Sequence, residues 1–199
     1  MRALRFARFS LAPAILAAMV LSGCGKDSVK PTENGVVFSD PYPVLSTPQN
    51  VLSALEEAYS HRDSVEYKAL YDPSYVGISR DQNDPPGTAP ITLTYADEVA
   101  HVAKLASWST ITSAYMSLGP SASWTRLASN DTSHPEWADI QIAGSSLNVR
   151  VTEGTDTYEA GGSSLFFEFM FKPTTPAPSS PTDTLWTIVR WNETKASGP

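Results

Sequence analysis

Three features of the 199-residue sequence predict an α+β fold. Apolar residues recur at helical spacing early in the chain. Period-2 alternation and solid apolar runs dominate its second half. The helical patterns come before most of the strand patterns, an order that segregates helices from a mostly antiparallel sheet. The expected arrangement is three N-terminal helices packed in a curved, mostly antiparallel sheet.

The first helix opens at Thr47-Pro48, a good N-cap followed by a residue suited to the first helical position. Val51, Leu52, Leu55, Ala58 and Tyr59 then form one stripe. A second helix starts at Asp63, with Glu66 completing an Asp-x-x-Glu capping box, and ends before Asp72-Pro73. Tyr75-Val-Gly-Ile78 reads as a short strand and residues 79–90 as a polar loop. A third helix covers Thr94 to Ser107, with Asp97 and Glu98 in its first turn as the dipole favours. Its expected buried face is Val99, Val102, Ala103 and Ala106. Strands follow at Ile111–Leu118, Trp124–Ala128, Asp139–Ala143, Leu147–Val151, Leu165–Phe171 and Leu185–Trp191. The Pro-rich stretch Lys172–Asp183 joins the last two.

The N-terminus is an address rather than a structural element. Arg2, Arg5 and Arg8 precede an apolar run from Phe9 to Leu21, shorter than the roughly 20 residues that span a bilayer. This is a secretory signal peptide, residues 1–23. It closes on Leu21-Ser22-Gly23-Cys24, which resembles the bacterial lipobox. The resemblance implies that Cys24, the only cysteine, receives a diacylglycerol and then palmitate after cleavage. Such chains contribute about 0.8 kcal/mol per buried methylene, and more than one chain anchors stably. Gly25 rather than Asp after the cysteine points toward the outer membrane of a bacterial envelope. Residues 24–46 read as the lipidated cysteine and its tether, 47–194 as the domain and 195–199 as a tail.

Charge and composition exclude several classes. Removal of 1–23 takes three arginines and no acid, so the net charge of −7 becomes −10. That balance argues against a nucleic-acid partner. One cysteine permits neither an internal disulfide nor a Cys-only metal site. His61, His101 and His134 are not clustered, and Asp81-Gln-Asn-Asp-Pro-Pro lacks the glycine of a calcium loop. No phosphate-binding or nucleophile-elbow motif is present. No metal or cofactor is expected beyond the lipid on Cys24.

The segment from Asn50 to Ile78, with its helix, helix and aromatic–aliphatic strand, resembles the opening of nuclear transport factor 2-like (SnoaL-like) domains. Trp186-Thr-Ile-Val-Arg-Trp-Asn-Glu resembles their last strand. The resemblance implies a cystatin-like cone whose sheet wraps the helices around a cavity. It implies no activity, because that fold carries isomerases, dehydratases and non-catalytic domains alike. No family catalytic set aligns residue by residue. The candidates for a cavity are His101, a base near neutral pH, and Arg150, Glu168 and Arg190, charges set among apolar strand residues. Asp97 and Glu98 are proton acceptors only if buried. The leading expectation is a lipid-anchored envelope protein that binds a small molecule or an envelope partner without catalysis. The alternatives are a cavity enzyme of isomerase or dehydratase type and a structural module dimerising through its sheet.

Overall fold

A computed structural model describes residues 42–174 and 184–196, all within one compact unit, Ser39–Pro199. The signal peptide, the lipobox with Cys24 and most of the tether lie outside the described residues, as does most of the Pro-rich connection. The elements run α1 (Pro48–Ser60), α2 (Ser64–Ala69), β1 (Tyr71–Asp81), β2 (Ile91–Thr94), α3 (Tyr95–Ser107) and β3 (Ile111–Ser117). Then come β4 (Thr125–Ala128), β5 (Ala138–Ala143), β6 (Asn148–Glu153), β7 (Asp156–Gly161), β8 (Leu165–Thr174) and β9 (Leu185–Lys195).

The α+β class and the mostly antiparallel pairing hold. The three helices are not one N-terminal group: α3 follows β1, where the sequence predicts a strand, and also β2, which it does not predict. Ile91-Thr-Leu-Thr is too short a signal to stand out beside the helix it feeds, yet it pairs with Val76–Ser79. Thr94 ends that strand and caps α3, accepting from Asp97 N–H while Asp97 accepts from Thr94 N–H. The strands also form two sheets rather than one. The six-stranded sheet has the order β2-β1-β9-β8-β5-β4, with only β1 and β9 parallel. The second sheet is β3-β6-β7. Strand β7 has no counterpart among the expected strands, because Asp156–Gly161 carries no apolar alternation and is exposed throughout.

Alternation gives the large sheet two distinct faces. Ile140, Ile142, Phe167, Phe169, Phe171 and Ile188 are fully buried on the inner face. Helix α1 contributes Val51, Leu52, Ala54, Leu55, Ala58 and Tyr59 to the same core and packs on β3 and β9. Each such aliphatic side chain contributes about 2 kcal/mol on burial. The outer face carries a second, smaller cluster of Trp137, Met170 and Val189. Chain upstream of α1 is laid on the domain: Tyr42 donates its hydroxyl to Asp63 at 3.0 Å, and Trp186 N–H donates to Leu45 at 2.9 Å.

Candidate functional site

Among the described residues, α1, α2, β1 and α3 bring a cluster of polar side chains together in the interior. Tyr67 and Tyr71 lie four residues apart across the end of α2 and the start of β1, so their rings meet at 5.1 Å. Tyr75 packs edge-on against Tyr71 at 4.8 Å. Into this group α3 projects Glu98, only 8% exposed. Tyr67 donates its hydroxyl to Glu98 Oε2 at 3.3 Å, and Tyr75 donates to Oε1 at 3.4 Å. Tyr71 donates to the Tyr67 oxygen at 2.8 Å. Tyr75 needs the absence of a side chain at Gly77, where a Cβ would stand 2.5 Å from its hydroxyl.

The electrostatics follow from burial. Desolvation raises the Glu98 carboxyl above its ordinary value, and the two phenols and Asp97 modify this less. Desolvation, reinforced by Glu98, pushes Tyr59 up to about 12 and Tyr67, Tyr71 and Tyr75 upward as well. These tyrosines therefore remain protonated donors near neutral pH. A carboxyl between phenols has the residue types of an acid–base site. Here both of its oxygens already accept from protein hydroxyls.

Glu98 falls in phase with Val102 and Leu105, which together form the buried face of α3. That corrects the expected face: Ala103 and Ala106 are exposed. The i, i+4, i+7 spacing is legible in the sequence, but a carboxylate at the first of those positions fits the helix dipole equally well.

The four residues predicted from sequence do not converge. His101, on α3, is exposed and stacks on Tyr59 at 6.2 Å, and desolvation of its ring, then Lys104, lowers its pKa. Arg150, on β6, pairs in the open with Glu159 at 2.7 Å. Glu168 and Arg190 lie on the outer face of the large sheet. Glu168 accepts from Asn130 at 3.0 Å and Asn192 at 2.8 Å. Arg190 donates to the carbonyls of Ser74 at 3.0 Å and Val189 at 2.7 Å and lies 5.6 Å from the Trp137 ring. A surface cleft of about 400 Å³ lies at the β1–β2 loop, lined by Arg80, Asp84 and Thr194 among others, and includes no member of the interior cluster. Among the described residues no three acids, histidines or cysteines group to hold a metal, and no helix is long and apolar enough to cross a membrane.

No family model and no curated protein matches the chain. Solved structures similar to it include a nuclear transport factor 2-like protein from Cytophaga hutchinsonii, at 12% identity over 73% of this chain and 93% of that one, TM-score 0.44. Another is a nuclear transport factor 2-like protein with a cystatin-like fold from Novosphingobium aromaticivorans, at 13% identity over 76% and 80%, TM-score 0.43. A third is a ketosteroid isomerase-like protein from Erwinia carotovora atroseptica, at 13% identity over 77% and 97%, TM-score 0.40. At these identities and scores no residue role passes from them to this chain.

Proposed function

We propose that the chain is a lipid-anchored protein of the bacterial cell envelope, held by Cys24, whose nuclear transport factor 2-like domain binds a partner or ligand without catalysis. The anchor rests on the basic, apolar and lipobox segments of the N-terminus. The observation that carries the non-catalytic reading is the closure of the interior network. Both Glu98 oxygens accept from protein hydroxyls, so this interior network leaves neither carboxylate oxygen open to a substrate. Binding then falls to the surface of the domain.

A second reading, a cavity enzyme, is favoured by the same carboxyl, because burial raises its affinity for a proton. Stability separates the two without any substrate. In the binding reading Glu98 is structural, and Glu98→Gln replaces one acceptor with a donor facing a phenol. At pH 7 the change costs about 1–3 kcal/mol, read as a lower melting temperature. A higher melting temperature would mark strain kept for activity and favour the enzyme. For the anchor, Cys24→Ser abolishes palmitate labelling and leaves the precursor unprocessed. Normal maturation of that variant would overturn the lipoprotein reading.

A further inference from the structure

The outer face of the six-stranded sheet places two carboxylates on neighbouring strands. Asp139 pairs with Met170 in register, and Glu168 pairs with Gln141 on one side and Asn192 on the other. Asp139 is 1% exposed, and its Oδ1 has no hydrogen-bond partner. The Asn130 backbone N–H donates to its carboxylate, while the Asn130 side chain donates to Glu168 at 3.0 Å. Asn192 holds the other Glu168 oxygen at 2.8 Å. Neutral amides thus orient this pair, and no cation compensates it: neither acid belongs to an ion pair among the described residues. Arg190 lies in the same row as Asp139, two strands away, but hydrogen-bonds to backbone carbonyls. Apolar side chains flank the acids. Leu127, opposite Asp139, is 42% exposed, and Phe166, two residues before Glu168, is 43% exposed.

We propose that Asp139 and Glu168 form a receptor for one basic side chain, carried on an apolar segment of a partner protein that docks on this face. The proposal rests on the non-catalytic binding reading above. An uncompensated acid pair and an orphan acceptor call for a cationic N–H donor. A guanidinium has the planar fork that serves two acceptors at once. Leu127 and Phe166 supply the apolar contact that a free cation would not use. Glu168, the more exposed acid, meets the cation first. Asn130 bridges the two acids, its side chain donating to Glu168 and its backbone N–H to Asp139.

The test uses the full chain and a probe peptide, acetyl-Leu-Arg-Leu-amide, against its uncharged citrulline analogue. Methyl resonances of Leu127 and Met170 report binding. The arginine peptide shifts both saturably and the citrulline peptide binds at least about tenfold more weakly. Glu168→Gln lowers affinity for the arginine peptide by a similar factor. Glu168→Lys, checked for native circular dichroism, supplies its own cation beside Asp139 and rejects the arginine peptide. Equal binding of the arginine and citrulline peptides, or indifference to both variants, overturns the proposal. So does a concentration-dependent dimer that Glu168→Lys dissolves while no peptide binds, since the occupant would then be a second copy. Photo-crosslinking from position 127 in intact envelopes keeps the two readings apart. An adduct unaffected by Glu168→Lys sinks the receptor chemistry alone. Peptide binding without any protein adduct in the envelope sinks the partner-binding reading.

Discussion

The interior and the outer face of the large sheet each bury a carboxyl group, and they treat it differently. Glu98 is enclosed by tyrosines, and both of its oxygens accept hydroxyl protons. Asp139 is enclosed more completely, yet keeps one oxygen without a donor and has Glu168 beside it. A third buried acid, Asp72, is answered by a cation, Lys172 at 2.9 Å. Burial pushes Asp72 up, but its hydrogen bonds from Ser74 and Lys172 outweigh that and leave it below its ordinary value. Similar burial thus yields different protonation behaviour, because the neighbours decide it. A buried acid left with one unpaired oxygen and no cation marks a place where the fold gives up stability.

The sharpest way to break this contrast is Asp139→Asn. Burial, then repulsion from Glu168, raises Asp139 from 3.8 to about 6 in the folded chain. A carboxyl raised on folding contributes fully below its unfolded pKa, and the contribution is lost as pH rises through the folded one. The window therefore runs from about pH 4 to pH 6. The asparagine variant does not titrate there, and its amide can donate where Oδ1 had no partner. It is expected to be more stable than the parent by on the order of 2–3 kcal/mol above pH 7 and equal to it near pH 4. Denaturant midpoints at three pH values measure this. A variant no more stable at pH 8 than the parent would show that Asp139 is compensated after all.

The helices and the inner sheet face are legible in the sequence because large apolar residues at period 3.6 or 2 fit little besides a helix stripe or a strand face. Val51 through Tyr59 and the Phe167, Phe169, Phe171 series are of this kind. Strand β7 is not legible because its cohesion comes from backbone pairing to β6, which leaves no mark on composition. The polar sites are hidden for another reason. A charged residue among apolar neighbours, such as Arg150, Glu168 or Arg190, reads the same whether it faces a cavity or the solvent side of a sheet. Only the register between strands separates these cases, and register is a long-range property. Glu98 is legible as a residue in phase with the α3 core, but the four tyrosines around it come from α1, α2 and β1, and their convergence is tertiary.

A milder perturbation sharpens the interior side of the comparison. Gly77→Ala places a methyl group 2.5 Å from the Tyr75 hydroxyl and 3.4 Å from Leu93 Cβ. The ring must rotate away from Glu98 or the backbone of β1 must shift. The expected cost is about 1–3 kcal/mol, the range for overpacking. Tyr75→Phe in the same chain removes the clashing oxygen, so the double variant recovers part of the loss. Recovery shows that the clash acts through the hydroxyl, whereas simple additivity would place the strain in the backbone instead.

The smallest effect is expected where charges are paired most visibly. Arg150 and Glu159 face each other across β6 and β7 at 2.7 Å, with side chains 50% and 59% exposed. Water screens such a pair, and holding two long side chains in one geometry costs entropy. Arg150→Ala is therefore expected to change stability by less than about 0.5 kcal/mol, and less again in high salt. A loss above about 1 kcal/mol would mean that the three-stranded sheet gains more from this pair than water-screened charges can supply. The small predicted effect bears on the outer face of the six-stranded sheet as well. Among the described residues Arg150 pairs with Glu159 in solvent, where compensation is worth little, and Asp139 and Glu168 have no cation where it would be worth more. That distribution is what the proposed basic partner would complete.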